Sequence, residues 1–213
     1  MSYSVKEIYY TLQGEGANAG RAAVFCRFTG CNLWSGHEVD RAAAVCKFCD
    51  TDFVGTGGHG GGRFDSAEHL AGAIRAAWTG RESPRARPLV VFTGGEPLLQ
   101  LDEGLIKAIR RLGFEVAIET NGTLLPPGGV DWVCVSPKAG AKLVLNYGDE
   151  IKLVFPQEGA EPHLFEALNF KHFFLQPMDG PSREANTLET IRYCLGHPQW
   201  RLSLQTHKLV GIP

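Results

Sequence analysis

No stretch of this chain approaches the roughly 20 consecutive apolar residues that a bilayer-spanning helix needs, so no membrane span is expected. Charge of one sign is also scarce. The formal net charge is -2 over 213 residues, which removes the basic footprint of a non-specific nucleic-acid binder. Residues 1–7 carry no basic stretch running into an apolar one, which predicts no secretory leader and a cytoplasmic setting. Neither an internal repeat nor a linker interrupts the chain, so one domain over residues 1–213 is the expectation. A hydrophobic fraction of 44% with 21% charged residues is ordinary for a globular protein. A chain this long builds a core without disulfides, and intracellular thiols stay reduced. The six cysteines therefore need another explanation.

What is present falls into two halves. Val5 to Thr11 reads as a first strand running into the polar turn Leu12-Gln13-Gly14-Glu15-Gly16. Ala22 to Phe28 is a near-continuous apolar run, the pattern of a strand covered on both faces. Periodicity then fails from Gly30 to Gly62, apart from a short helical piece near 40–45. So long an irregular segment is usually functional. Its closing tract, Gly55 to Gly62, reads as a flexible surface loop.

Beyond it the pattern is regular. Asp65 and Glu68 suggest an N-cap and its third-position partner for a helix through Trp78. Helices are also expected at 102–112, near 162–168 and at 184–195. Strands are expected at 89–93, 116–119, 132–136, 150–155, 173–176 and 201–205. Alternating strands and helices predict a parallel sheet, with about six core strands against the eight of a closed (βα) barrel. Short polar turns follow four of these strands: Gly94-Gly95-Glu96-Pro97, Thr120-Asn121-Gly122, Ser136-Pro137-Lys138 and Gln176-Pro177-Met178-Asp179. Each could be an ordinary turn, but four in succession mark the ligand end of a parallel sheet.

Cys31, Cys46 and Cys49 lie in the irregular segment as C-x14-C-x2-C. Structural zinc closes its shell with four protein ligands. Three cysteines on a [4Fe-4S] cluster leave one iron open, and spacing alone favours that reading only modestly. Cys26 could be a fourth ligand, but inside an apolar strand a buried free thiol is the commoner outcome. His37 and His59 are further zinc candidates, while Cys134 and Cys194 read as core. Arg27 lies in the same apolar strand, where an unpaired charge is almost never buried. Either a ligand carboxylate or a structural ion pair, with Glu15 as the candidate, would satisfy it.

In these motifs together the chain resembles the 7-carboxy-7-deazaguanine synthases, a family of radical S-adenosylmethionine (SAM) enzymes. The residues that carry the resemblance are Tyr10 to Gly16, Phe25 to Phe28, Gly30 to Trp34, Phe48 to Asp52, Thr93 to Pro97, Glu119 to Gly122, Val135 to Lys138, Gln176 to Asp179 and Leu204 to Lys208. The resemblance implies an α/β fold of radical SAM type, an incomplete parallel barrel with reduced helices. It implies a lyase that converts 6-carboxy-5,6,7,8-tetrahydropterin to 7-carboxy-7-deazaguanine with loss of ammonia, on the route to queuosine. The cofactors implied are a [4Fe-4S] cluster on Cys31, Cys46 and Cys49, SAM used catalytically, and Mg²⁺ held partly by Thr51. SAM would meet Phe48, Cys49, Asp50, Gly95, Ser136, Pro137, Lys138, Gln176, Pro177, Met178 and Asp179. The pterin would meet Leu12, Gln13, Gly14, Arg27, Thr93, His207 and the C-terminal Pro213. A flavodoxin or ferredoxin as electron donor, and a homodimer, are further implications. Two other readings stand beside it: a radical SAM enzyme that activates a glycyl-radical partner, and a zinc-stabilised binding module without catalysis.

Overall fold

The computed structural model describes residues 2–213 apart from Glu82 and Pro84. Its strands are β1 (Tyr3–Leu12), β2 (Ala22–Phe28), β3 (Gly62–Phe64), β4 (Leu89–Gly94), β5 (Glu115–Thr120), β6 (Trp132–Val135), β7 (Tyr147–Phe155), β8 (Asn169–Pro177) and β9 (Trp200–Leu202). The helices are α1 (Ala67–Ala77), α2 (Glu103–Arg111), α3 (Arg183–Gly196) and α4 (Thr206–Val210). All nine strands join one sheet in the order β3-β1-β2-β4-β5-β6-β7-β8-β9. From β2 onward, neighbours pair in parallel and in chain order, whereas β1 and β3 add an antiparallel flank.

This is the incomplete barrel that was expected, with seven parallel strands (β2 and β4 to β9) rather than about six. Helices are indeed reduced. The connections 121–131 and 136–146 contain none, and the helix expected near 162–168 is a single 3-10 turn at Pro162–Leu164. The piece near 40–45 is likewise a 3-10 turn, at Glu38–Ala43.

Period-2 alternation decides which residues meet the helices. Val24, Cys26 and Phe28 of β2 join Val90 and Phe92 of β4 and pack under Leu70 and Ile74 of α1 and Ile109 of α2. A second cluster gathers Ile151, Leu153 and Leu175, with Cys194 of α3 partly buried against it. Cys26 is fully buried, as its apolar setting predicted, and is no cluster ligand.

Two expectations need correction. The cap of α1 is Ser66, not Asp65: the Ser66 hydroxyl accepts from His69 N–H at 3.1 Å. Asp65 lies one residue too early for that bond. The glycine tract is also more than a flexible loop. It packs along the edge of β1, where Gly58 N–H donates to Lys6 O at 3.0 Å and Ile8 N–H donates to His59 O at 2.7 Å. A Cβ on Gly61 would fall 2.1 Å from Lys6 O, so only glycine permits this approach.

Asp102 caps α2 and also ties it to the sheet. Its carboxylate accepts from Leu105 N–H at 2.8 Å and from the Tyr3 hydroxyl at 2.9 Å. Asp102→Ala should therefore lower stability by about 1–2 kcal/mol in urea unfolding. Asp102→Asn should recover most of that loss, because an amide oxygen caps equally well; equal losses for both variants would refute the capping role.

Candidate active site

Alternation along the same strands sends the opposite set of side chains to the inner face of the sheet. There a small apolar patch of Ala23, Leu89, Val91 and Ala117 is joined by charged and aromatic side chains. Tyr9 stacks on Phe25 with ring centroids 5.5 Å apart. Arg27 pairs across the ladder with Glu7, Nε to Oε1 at 2.8 Å, and reaches the Tyr9 hydroxyl at 3.2 Å. Its partner is thus Glu7 rather than the expected Glu15.

Glu15 belongs to a second group. Lys152 of β7, only 3% exposed, forms ion pairs with Glu15 and with Glu119 of β5, the latter at 2.9 Å. Gln13 donates to Glu119 at 2.8 Å, while Gln176 and Gln205 donate to Glu15 at 3.2 and 3.1 Å. Burial alone would drive the Lys152 ammonium toward neutrality, but Glu119 and Glu15 outweigh it and lift its pKa well above the ordinary value. Burial likewise opposes ionisation of Glu119, and Lys152 overcomes it, holding that carboxyl below its usual range.

These groups line one cavity of about 1030 Å³ at the carboxyl ends of the parallel strands. That is the upper limit for a single drug-sized ligand, and leaves room for more than one group. The turn after β4 forms part of the wall. Fully buried Glu96 accepts from Leu98 N–H, Asn121 N–H and the Thr120 hydroxyl at 3.0, 2.8 and 2.8 Å, locking the ends of β4 and β5 together. Beside it, a Cβ on Gly95 would lie 2.2 Å from Gly30 O and 2.7 Å from the Cys31 Cβ. Gly95 is therefore what lets this turn press against the first cysteine.

Cys31, Cys46 and Cys49 all reach the cavity wall. The Cys46 thiol donates to Cys49, which brings Cys49 down to about 6 and pushes Cys46 up. The hydrogen bond thus favours the thiolate at Cys49, the form that ligates metal. Lys138, its ammonium on the Ser136 carbonyl and hydroxyl at 2.6 and 2.7 Å, adds positive potential beside both sulfurs. Among the described residues, no three His, Cys, Asp or Glu side chains converge on one point as a single metal ion requires. A soft thiolate set suits zinc and iron–sulfur clusters alike, and three thiolates are the number that leaves one iron of a [4Fe-4S] cluster open.

Of the residues expected at the site, Leu12, Gln13, Gly14, Arg27, Phe48, Asp50, Thr51, Thr93, Gly95, Ser136, Lys138, Gln176, Pro177, Met178, Asp179, His207 and Pro213 share this cavity with the three cysteines. Pro137 is the exception, being buried behind the turn that Ser136 and Lys138 present. Gln176 Oε1 is buried with no partner, an acceptor available to a ligand. Cys134 is buried as expected, but on the inner face, where its ladder neighbours are Glu119 and Glu150. Glu7, Tyr9 and Lys152 were not anticipated, nor was the pairing role of Glu119. The rule that singled out Arg27, a charge inside an apolar strand, also applies to Lys152 within Glu150-Ile151-Lys152-Leu153-Val154.

Removing the ammonium with Lys152→Met leaves two half-buried carboxyls without their counter-charge, at a cost of about 3–5 kcal/mol at pH 8. Burial, no longer opposed by Lys152, should then raise the folded pKa of Glu119 above its unfolded value. The penalty should therefore shrink as pH falls from 8 toward 5, because protonation relieves the folded state first. Urea unfolding at the two pH values measures this; a constant penalty would refute the coupling.

Comparison with known proteins agrees with this geometry. Residues 40–197 match the radical SAM superfamily. The 7-carboxy-7-deazaguanine synthases of Bordetella pertussis and Caulobacter vibrioides are 67% and 64% identical to this chain over 213 residues, covering 100% of each chain. That of Haemophilus influenzae is 30% identical over 99% of this chain and 94% of its own. Among solved structures, QueE from Escherichia coli superposes with a TM-score of 0.71 at 28% identity, covering 96% of this chain and 94% of that one. The chain belongs to the 7-carboxy-7-deazaguanine synthases of the radical SAM superfamily.

Proposed function

We infer that this chain is the lyase that contracts 6-carboxy-5,6,7,8-tetrahydropterin to 7-carboxy-7-deazaguanine with loss of ammonia. The observation that carries the reading is one cavity lined at once by three cysteines, a guanidinium and hydrogen-bonding strand ends. Membership of the superfamily brings a [4Fe-4S] cluster and SAM, which together supply the one-electron chemistry that removes a hydrogen atom from the substrate.

The chain's own residues bind, orient and exclude water. Cys31, Cys46 and Cys49 hold the cluster, with Cys49 already disposed to ionise. Phe48 offers a flat apolar face to SAM, and Gly95 brings backbone close to its amino group. Asp50, Ser136, Lys138 and the turn Gln176 to Asp179 complete that side; Pro137 supports the turn from behind. Toward the pterin, Arg27 spends Nε on Glu7 and Nη2 on Tyr9, leaving Nη1 for the substrate carboxylate. Leu12, Gln13, Gly14 and Thr93 face the ring, with His207 and Pro213 closing over it. Thr51 offers its hydroxyl to Mg²⁺, a hard cation that prefers oxygen and keeps several waters. A flavodoxin or ferredoxin as reductant, and assembly as a homodimer, complete the proposal.

Anaerobically reconstituted protein given reductant, SAM, Mg²⁺ and the carboxytetrahydropterin should form the deazaguanine. Full cluster loading without that product would refute the substrate assignment. Thr51→Ala should raise the Mg²⁺ concentration for half-maximal rate about tenfold, the loss of one hydroxyl ligand. Unchanged Mg²⁺ dependence would remove Thr51 from that role.

A further inference from the structure

The fourteen residues between Cys31 and Cys46 hold the backbone of the turn that carries the next two cysteines. The stretch 46–53 forms neither helix nor strand, so its carbonyls have no ladder donors. Two of them, on Lys47 and Cys49, accept from one group: Arg41 Nη1, at 2.9 and 3.1 Å. Arg41 lies in the 3-10 turn Glu38–Ala43, which only a long insert can accommodate.

The guanidinium is itself immobilised twice. Its Nε meets both Glu38 oxygens at 2.9 and 2.7 Å, and its Cζ lies over the Trp34 ring, 4.1 Å from the centroid. Glu38 is 77% exposed, so that ion pair is the weaker hold. Trp34 is the stronger one. It is buried, donates Nε1–H to His37 O at 3.2 Å, and sets its ring edge-on to fully buried Phe53 at 5.6 Å. The first two cysteines are fixed by other means: Leu33 N–H points to Cys31 Sγ at 3.4 Å, and Leu33 O accepts from Cys46 N–H at 3.3 Å. Cys49 has no comparable tie to Leu33; its carbonyl is instead one of the two that Arg41 holds.

We propose that Arg41 is a positioning residue for the iron–sulfur cluster, the far end of a relay Phe53–Trp34–Arg41 that holds the Cys46–Cys49 turn in ligating geometry. This rests on the reading that Cys31, Cys46 and Cys49 carry the cluster. A lysine cannot replace it, because a point charge neither stacks on Trp34 nor forks toward two carbonyls while pairing with Glu38.

The test uses the reconstituted full chain without SAM, challenged anaerobically with an iron chelator. The native protein should hold about four irons. Arg41→Gln should release them about tenfold faster, and its reduced cluster should give an altered electron paramagnetic resonance spectrum, with far-UV circular dichroism unchanged. Arg41→Lys, which keeps the charge and guards against a folding defect, should rescue only part of the release rate. Native release and a native spectrum in Arg41→Gln, or full rescue by lysine, would overturn the proposal. Failure of the underlying reading would look different: the native protein would not take up four irons, or Cys49→Ser would load as fully as native.

Discussion

An ammonium taken out of water keeps its proton only if carboxylates stand within hydrogen-bonding reach, and Lys152 meets two. The consequences spread because the partners come from distant parts of the chain. Glu119 lies one residue from the end of β5 and Glu15 in the turn after β1. Gln13, Gln176 and Gln205 then attach to those same carboxylates. One charge thereby registers the first turn, two strand ends and the segment before α4. Ion groups of this kind rarely add net stability against an apolar alternative. Here the group sits on the inner wall of the cavity, where it fixes side chains that an apolar core would leave free to choose rotamers.

That inner wall exists because the sheet is covered on one face only. Helices α1, α2 and α3 seal the outer face with an apolar layer, while β5, β6 and β7 follow one another without crossover helices. The opposite face carries a small apolar cluster of Ala23, Phe25, Leu89, Val91 and Ala117 beside Glu7, Arg27, Glu119 and Lys152, and must satisfy each of these charges internally or through a ligand. Arg27 is satisfied in part, by Glu7 and Tyr9. Gln176 Oε1 is not satisfied at all. Residual polarity of this sort is where the fold departs from simple core logic, and it coincides with the three cysteines.

Strands and the long helices were legible because their signal is periodic and local. Ala22–Phe28 has the predicted bounds, and Asp102 with Leu112 brackets α2 as its cap and end. The cysteine triad and the turns after the strands were legible through motif spacing. What escaped notice depends on pairing between distant segments. Nothing local in Gly58 or Gly61 announces that β1 backbone will press against them. Strand β3 has only three residues, too few for alternation to register. The pairing of Arg27 with Glu7 rather than Glu15 follows from the β1–β2 register, which a bulge between Val5 and Glu7 shifts.

The walls of the cavity are not held equally. The strand ends are fixed by ladders and by Glu96, and the cluster loop by Leu33 and Arg41. Helix α4 buries none of its residues. It is attached through Thr206 N–H to Gly14 O at 3.1 Å, Lys208 to Asp50 and Asp179 at 2.6 Å each, and the Thr11 hydroxyl to Pro213 O at 2.9 Å. Exposed ion pairs of this type contribute about 0–1 kcal/mol each. Displacing α4 therefore costs the fold less than moving any strand end. A ligand in contact with His207 and Pro213 would add its own binding energy to these few bonds. The last eight residues, 206–213, are in this sense a wall completed by what the cavity contains.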